Sequence, residues 1–564
     1  MISKISLPKR LAIHSGHRLN LPARFAKPPK PENDPIRSYA PGTEEREELR
    51  AKLGELKGKE IEIPLVIGGE EVKTGDMGKC VIPHNHSHVL ARFHKAGESE
   101  VNQAIDAAAE AWESWSIEDF ETRAKIFLRM AELAEGKWRQ TLNASTMLNM
   151  SKTAYQAEID AACEVVDFFN FNPYYAQELQ THQPMHSPPP TKNSLEHRPL
   201  EGFVFAVSPF NFASLGANLA IAPALMGNVV LWKPASSAVY PAWFLMQLYK
   251  EAGLPDGVIN FIPGSGSTVG PVVMKNPDLA GVHFTGSTAV FQGMWQTIGE
   301  NITSYKSYPR IVGETGGKDF CIAHESADNE ALVTAMVRGA FEYQGQKCSA
   351  MSRAYIPTTI WESVKKGFIE QVETVKMGDA EDFTNFMTAV IDKSAFDTIS
   401  SYIDHAKHSD DAEILTGGNC DDSVGYFIEP TAILTSNPHF KTMEEEIFGP
   451  VLTIYLYDPE AWEETLELVD STSPYGLTGC VFATDGAALE EARTALRHSA
   501  GNFYLNDKPT GAVVGQQPFG GSRASGTNDK AGSMFNLIRW VSLRTIKENF
   551  DPPQDYRYPF MNED

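Results

Sequence analysis

Cysteine is scarce in this chain and never paired. Six cysteines in 564 residues, Cys80, Cys163, Cys321, Cys348, Cys420 and Cys480, include no C-x-x-C spacing. That excludes a disulfide framework and a redox dithiol, and a chain of this length needs no such staples. A reducing compartment follows, and the mitochondrial matrix and the cytosol both qualify. Long apolar runs are lacking too. Residues 202–232 carry no charged side chain, but Pro209, Asn211, Asn218, Pro223, Gly227 and Asn228 interrupt them. A spanning helix needs about 20 mostly apolar residues in sequence, so the stretch reads as buried strands around a buried helix, with no membrane partner. Positive charge is lacking over most of the chain. Residues 1–31 hold seven basic residues and no acid, which leaves 42 basic against 73 acidic side chains beyond them, or −31. An acidic body repels phosphate backbones, so no nucleic-acid partner is expected. The basic, hydroxyl-bearing, acid-poor head fits a mitochondrial transit peptide over about 1–25 and points to the matrix; a solvated tail is the alternative.

What is present is an α/β pattern. Val101, Ile105, Ala108, Ala109 and Trp112 recur at helical spacing, and similar sets make 99–178 helical. Prolines at 184 and 188–190 then mark a loop or exposed hairpin. From 202, short apolar runs alternate with helical segments: strands at Phe203–Val207, Val229–Trp232, Val258–Ile262 and Val282–Phe284, with helices at Ser214–Met226 and Trp243–Tyr249. Such alternation predicts a parallel sheet with crossover helices, whose ligands sit beyond the carboxyl ends of its strands. A second α/β run comes next, with strands at Cys321–Ala323, Ala350–Ile356, Val451–Leu456 and Gly479–Ala483. The stretch 536–546 is apolar enough to pack, and 551–564 is polar. His84, His86 and His88 alternate beside Pro83 without a matching acid or cysteine cluster, which reads as a surface turn, and no metal is expected.

Three loops carry candidate chemistry. In Phe341-Glu-Tyr-Gln-Gly-Gln-Lys-Cys-Ser-Ala350 a cysteine follows a glycine and a lysine. Nearby positive charge or helix-terminal amides would lower its pKa and favour the nucleophilic thiolate. In Ile311-Val-Gly-Glu-Thr-Gly-Gly-Lys318 a carboxylate follows a short strand and precedes a Gly-Gly turn, a position where Glu314 can activate water. In Ser208-Pro-Phe-Asn-Phe212 the Asn211 amide follows the first strand, where it can donate to a developing oxyanion.

Each signal alone is weak, but six occur in order: Pro-Phe-Asn (209–211), Lys-Pro (233–234), Phe-Thr-Gly-Ser (284–287), Glu-Thr-Gly-Gly-Lys (314–318), Gly-Gln-Lys-Cys (345–348) and Glu-Ile-Phe-Gly-Pro (446–450). Over roughly 60–545 the chain resembles the aldehyde dehydrogenase superfamily. The resemblance implies an α/β fold with a Rossmann-type cofactor domain (60–180 and 200–312), an α/β catalytic domain (313–520) and a small β oligomerisation flap (181–199 and 530–550). It implies that Cys348 attacks the carbonyl, that Asn211 and the Cys348 N–H hold the oxyanion, and that Glu314 activates water to release the acid. NAD would be held by Ser208, Lys233, Gly286, Ser287, Glu446 and Phe448, with Gly286 and Ser287 opening a helix beneath the pyrophosphate.

The G-x-G-x-x-G fingerprint is missing, Phe291 stands where many relatives have a second glycine, and Ser236 stands where many NAD-specific relatives have Glu. A missing carboxylate removes repulsion toward a ribose phosphate, so NADP is a weaker alternative. The stretch 506–530 resembles the substrate-anchoring loop of the branch that oxidises glutamate γ-semialdehyde, as does Ser349. Gly511, Ala512 and Ser349 would then hold the substrate's α-carboxylate, while Phe212 and Phe519 box its aliphatic middle. Two other readings stay open. In a CoA-acylating relative the activated water implied by Glu314 would be unwelcome. A silent protein on the same fold would have no need of the intact Cys348, Glu314 and Asn211. A homodimer or larger homo-oligomer is expected from the flap.

Overall fold

The computed structural model describes residues 28–562, so the transit-peptide reading of 1–25 lies outside the described residues. Two seven-stranded sheets organise the chain. The first runs Arg310–Glu314, Leu279–Thr285, Phe203–Ser208, Val229–Pro234, Ile259–Phe261, Leu65–Ile67, Glu70–Val72. Its first five strands are parallel, and the Leu65–Ile67 and Glu70–Val72 hairpin extends it antiparallel. Counted from Ile259–Phe261, the five parallel strands stand in the chain order 3-2-1-4-5. This is the doubly wound order, and it reverses between Phe203–Ser208 and Leu279–Thr285, where a crevice opens at the carboxyl ends. These strands are nearly all buried because helices cover both faces, which is why they read as continuous apolar runs rather than alternating ones.

The second sheet runs Ala412–Thr416, Thr431–Thr435, Val451–Tyr457, Met351–Pro357, Asp319–Ala323, Thr478–Phe482, Asn502–Leu505, parallel except for its first strand. The chain passes from one sheet to the other through Thr315-Gly-Gly-Lys318. The two glycines are closely approached from the second sheet's loops. A Cβ on Gly316 would lie 2.4 Å from Glu446 Oε2, and one on Gly317 would lie 2.2 Å from the Cys348 carbonyl. The two glycines thus let Glu314, at the end of one sheet, approach the loops of the other.

The helical region holds, with one irregularity. Between helices Ala154–Ala157 and Val165–Thr181 the chain forms a π-helical turn, Glu158–Glu164, which places Glu158, Asp160 and Glu164 inward. Such turns recur at functional sites. The proline-rich loop ends in the strand Thr191–Pro199, paired antiparallel with Val541–Asn549. The 536–546 stretch is buried at Asn536, Leu537, Trp540 and Val541; from Leu543 onward this ribbon stands exposed, because among the described residues no third strand joins it. The surface-turn reading of the histidines fails for His84, which is buried with Nδ1 against Ser151 Oγ at 2.8 Å and Nε2 against Asp379 at 3.2 Å. Tertiary packing brings these partners from positions 151 and 379, so the local sequence carries no sign of them. No helix among the described residues is long and apolar enough to cross a membrane.

Candidate active site

Four strand ends of the first sheet deliver Ser208, Lys233, Gly286 and Glu314 to the crevice. Ser287 caps the helix Thr288–Glu300, its Oγ accepting from the Val290 N–H at 3.4 Å, so a helix N-terminus faces the opening. A cleft of about 780 Å³ lies here, lined by Ser208, Lys233, Gly286, Ser287, Glu446 and Phe448, with Asn211 and Cys348 at its inner end. A second cavity of about 270 Å³ lies on the far side of the cysteine, and Phe212, Ser349, Gly511, Ala512 and Phe519 all line it. Among the described residues Cys348 is the one that lines both. Its sulfur therefore stands where an occupant of the large cleft meets an occupant of the small one.

The Cys348 loop is built on backbone that side chains rarely adopt. Tyr343, Gln344 and Gly345 take φ of 51°, 55° and 66° in succession. A Cβ on Gly345 would lie 2.2 Å from the Gly449 carbonyl, so close approach demands glycine there. The strain at Tyr343 and Gln344 is offset by bonds. The Gln344 amide donates to Ser151 O (3.1 Å), Thr388 Oγ1 (2.8 Å) and Ala389 O (2.8 Å) and accepts from the Thr388 N–H (3.1 Å). Gln346 Oε1 accepts from the Ile391 N–H at 2.9 Å, and Asn211 Nδ2 donates to the Gln346 carbonyl at 3.1 Å. Asn211 thus sits beside the cysteine loop. The helix after it, Ala213–Leu225, fixes its place: Asp160 caps that helix through the Ala213 and Ser214 N–H groups, at 3.0 and 2.9 Å, and pairs with buried Lys152 at 2.7 Å.

The electrostatics correct one expectation. The Cys348 thiol is not lowered by its neighbour Lys347, whose ammonium is engaged by Glu342 at 3.0 Å. Burial pushes the thiol well above its usual range, and Glu314, Asp319 and Glu446 push it further. Sequence adjacency overlooks three carboxylates brought in from elsewhere. Glu314 itself is pushed up to about 8 by burial, and its Oε2 has no hydrogen-bond partner. It lines neither large cavity but a smaller one behind them, beside Thr285, Gly313 and Asp529.

The large cleft suits a dinucleotide. Lys233 is buried and pushed down to about 8 by that burial, and among the described residues its ammonium makes one long bond, 3.4 Å, to Pro234 O. That is a donor with unused capacity, facing the cleft. Glu446, raised to about 7 by burial, accepts from the Gly317 N–H at 2.9 Å and keeps its second oxygen free of that bond. Phe448 holds φ of 58° and its ring meets Phe210 edge-on at 5.7 Å.

In the small cavity, Gly511 has φ of 97°, a conformation glycine adopts without cost, and Ser349 Oγ lies 2.8 Å from Thr510 Oγ1. Lys508 Nζ donates to Thr510 O at 3.0 Å. Sequence reasoning misses two features of this cavity. One is Glu164, raised to about 8 by burial and the nearby Asp160, with Oε2 accepting from Ser214 Oγ at 2.9 Å. It stands at the end of the π-helical turn Glu158–Glu164. The other is a wall formed by Asn33, Asp34 and Ile36.

A doubly wound cofactor sheet joined by Gly-Gly to a second α/β sheet, with one cysteine between two cavities, defines the class. The Aldehyde dehydrogenase family matches residues 72–546, and this chain belongs to it. Within the family the likeness is narrower. The chain is 54% identical to the mitochondrial Δ1-pyrroline-5-carboxylate dehydrogenase of Dictyostelium discoideum, covering 94% of this chain and 96% of that one. It is 48% identical to the mitochondrial enzyme of that name from Homo sapiens, over 94% of each. Its fold matches the crystal structure of the Mycobacterium tuberculosis Δ-pyrroline-5-carboxylate dehydrogenase bound with NAD, at a TM-score of 0.92 and 46% identity, covering 96% of this chain and 100% of that one.

Proposed function

We propose that this chain oxidises glutamate γ-semialdehyde, the open form of Δ1-pyrroline-5-carboxylate, to glutamate with NAD in the mitochondrial matrix. The observation that carries the reading is the position of Cys348 between the two cavities. The relatives' names supply the substrate, the mitochondrial setting and, for the Mycobacterium tuberculosis enzyme, the bound NAD.

Lys233 and Glu446 would bind the two riboses, the N-terminus at Ser287 the pyrophosphate, and Phe448 would flank the nicotinamide, whose contribution is to accept the aldehyde hydrogen with its electron pair. The chain's own groups do the rest. The Cys348 thiol passes its proton to solvent water, Sγ bonds the aldehyde carbon, and the carbonyl π pair moves onto oxygen. The Asn211 amide and the Cys348 N–H stabilise that oxyanion. When the C–H bond breaks, the carbonyl re-forms as a thioester on Cys348. Glu314 swings forward from its smaller cavity and takes a proton from water as the water oxygen attacks. The C–S bond then breaks and the carboxylic acid leaves.

The small cavity supports an amino-acid end. Gly511, Ala512 and the Ser349 hydroxyl offer donors to the α-carboxylate, Glu164 offers a carboxyl that the positive charge of the α-ammonium would ionise, and Phe212 and Phe519 flank the methylenes. A buried ion requires such partners, since leaving it unpaired costs several kcal/mol. The test is NADH formation over a panel of aldehydes. The semialdehyde should exceed propanal in kcat/KM by at least about 10³-fold, the scale on which a site built around polar groups rejects a ligand lacking them. A wild type preferring propanal would overturn the substrate.

A further inference from the structure

The segment 28–40 precedes residue 72, where the family match begins, and its Asn33, Asp34 and Ile36 line the small cavity. Pro28, Pro29, Pro31 and Pro35 bias it to an extended course with little entropy to lose. It is tied down at several points. The Asp34 carboxylate meets Arg139 Nη1 at 2.7 Å, with both side chains essentially excluded from solvent. Arg139 Nη2 pairs with Glu158 and donates to Pro35 O at 3.3 Å. The Arg37 N–H and the Tyr39 hydroxyl donate to Glu158 at 2.9 and 2.8 Å. Although burial pushes the Glu158 carboxyl up, Arg139 and these donors hold it low, as a charge the segment is built around.

Asn33 faces the other way, toward the loop that carries Gly511 and Ala512. Its Nδ2 donates to the Val514 carbonyl at 2.7 Å and to Asp167 Oδ2 at 2.7 Å, while its Oδ1 accepts from Gln516 Nε2 at 2.9 Å. The Asp34 N–H donates to the other Asp167 oxygen at 2.8 Å. One amide thus ties the loop, just beyond its proposed carboxylate donors, to the helix Val165–Thr181. Gly515, at φ of 82°, lies between those two contacts, packed where a Cβ would fall 2.2 Å from the Phe171 ring.

We infer that the N-terminal strap is part of the substrate site, and that Asn33 is a positioning residue which holds the 511–516 loop in the shape that grips the substrate's amino-acid end. This rests on the proposed substrate. Asn33 touches no reacting atom. It acts through the loop, so its loss should be felt at the remote end of the substrate and not at the aldehyde.

The experiment compares wild type, Asn33→Ala and Gln516→Ala as full chains. Asn33→Ala should raise KM for the semialdehyde about tenfold, the scale of about 1.4 kcal/mol, and leave its kcat within about twofold. Competitive inhibition by the product glutamate should weaken by the same factor. Turnover of propanal and NAD binding should stay within about twofold. Gln516→Ala, an exposed change that spares the fold, should move KM the same way by about threefold and carries the test if Asn33→Ala is insoluble. Equal losses toward semialdehyde and propanal, or an unchanged semialdehyde KM, would overturn the inference. Hydrogen exchange at the 511–516 amides needs no substrate and should speed up in either variant. Unchanged exchange overturns the strap even if the wild type proves to prefer propanal, a result that by itself removes only the substrate reading.

Discussion

Glu314→Gln separates the two halves of the reaction. The carboxylate is buried, unpartnered at Oε2 and raised to about 8, so near pH 7 only about a tenth of it is ionised and able to take a proton from water. The sign is fixed by the direction of the shift: deacylation, which needs the ionised base, should rise about tenfold between pH 7 and pH 9 and level off above. Gln keeps the shape and cannot accept the proton. General-base removal costs about 10²–10⁴-fold, so steady turnover should fall by about that much while the first turnover, which ends at the thioester, is spared. A stopped-flow trace at 340 nm should show a burst of NADH close to one per active site, then a slow phase that no longer rises through pH 8.

The same variant tests the electrostatics. After burial, Glu314 is the foremost cause raising the Cys348 thiol. Above pH 8, where Glu314 carries its charge, iodoacetamide should therefore alkylate Cys348 faster in Glu314→Gln than in wild type. Below pH 6 the two should match, because the wild-type carboxyl is then protonated. Burst and steady rate lost in equal measure would refute the assignment of Glu314 to deacylation. Alkylation rates that agree at every pH would refute the proximity of the two groups.

Other outcomes hang on single contacts. Cys348→Ala should abolish aldehyde oxidation with NAD binding retained by calorimetry, since it removes the one group lining both cavities; residual oxidation would point to another nucleophile. Gly511→Val forces a branched side chain to φ of 97° with its Cβ near 2.9 Å from Lys508 Nζ, and should raise semialdehyde KM at least about tenfold with little change for propanal. Gln344→Leu deletes four hydrogen bonds that offset the strain at Tyr343 and Gln344, and should lower kcat about 10²-fold for every aldehyde while thiol titration still counts six cysteines; a normal kcat would show that the loop holds itself. The exposed ribbon of Thr191–Pro199 and Val541–Asn549 offers unpaired edges and the half-exposed Leu543 and Ile546, so sedimentation at micromolar concentration should give a dimer or larger; a monomer would rule this out.

The strands of the first sheet are legible in the sequence because burial on both faces leaves a run such as Phe203–Val207 with no polar residue, and a run of that length bounded by turns has few other fates. The motif glycines are legible for a related reason. Gly317 is required because a Cβ would lie 2.2 Å from the Cys348 carbonyl, a backbone atom that cannot yield, whereas Gly316 meets the end of the Glu446 side chain at 2.4 Å. Positions fixed by backbone exclusion announce themselves in the sequence. Tyr343 and Gln344 do not, because their left-handed backbone is imposed by Ser151, Thr388 and Ala389, which lie far away in the chain. His84 misleads for the same reason: its partners, Ser151 and Asp379, come from two other segments.

Charge is the least readable property. Lys347 precedes Cys348 and suggests a lowered thiol pKa, yet its ammonium is committed to Glu342, and the thiol is raised first by burial and then by Glu314, Asp319 and Glu446. A local sequence window cannot weigh a neighbour at one residue's distance against carboxylates dozens of residues away, although both act over the same few ångströms. The outcome has a chemical consequence. A thiol that burial holds protonated, with whatever fraction of Glu314, Asp319 and Glu446 is ionised adding to the effect, resists oxidation and stray alkylation, and it becomes a nucleophile only when something stabilises its thiolate. The large cleft brings a bound cation into that role, since the nicotinamide ring carries positive charge before it accepts hydrogen and would sit beside Cys348. Burial and the acidic surroundings that depress the thiol's reactivity therefore make it dependent on a bound cofactor, so alkylation of Cys348 at pH 7.5 should accelerate on adding NAD and not on adding NADH. If both forms accelerated it equally, ring charge would not be the trigger, and closure of the cleft around either nucleotide would have to account for the effect.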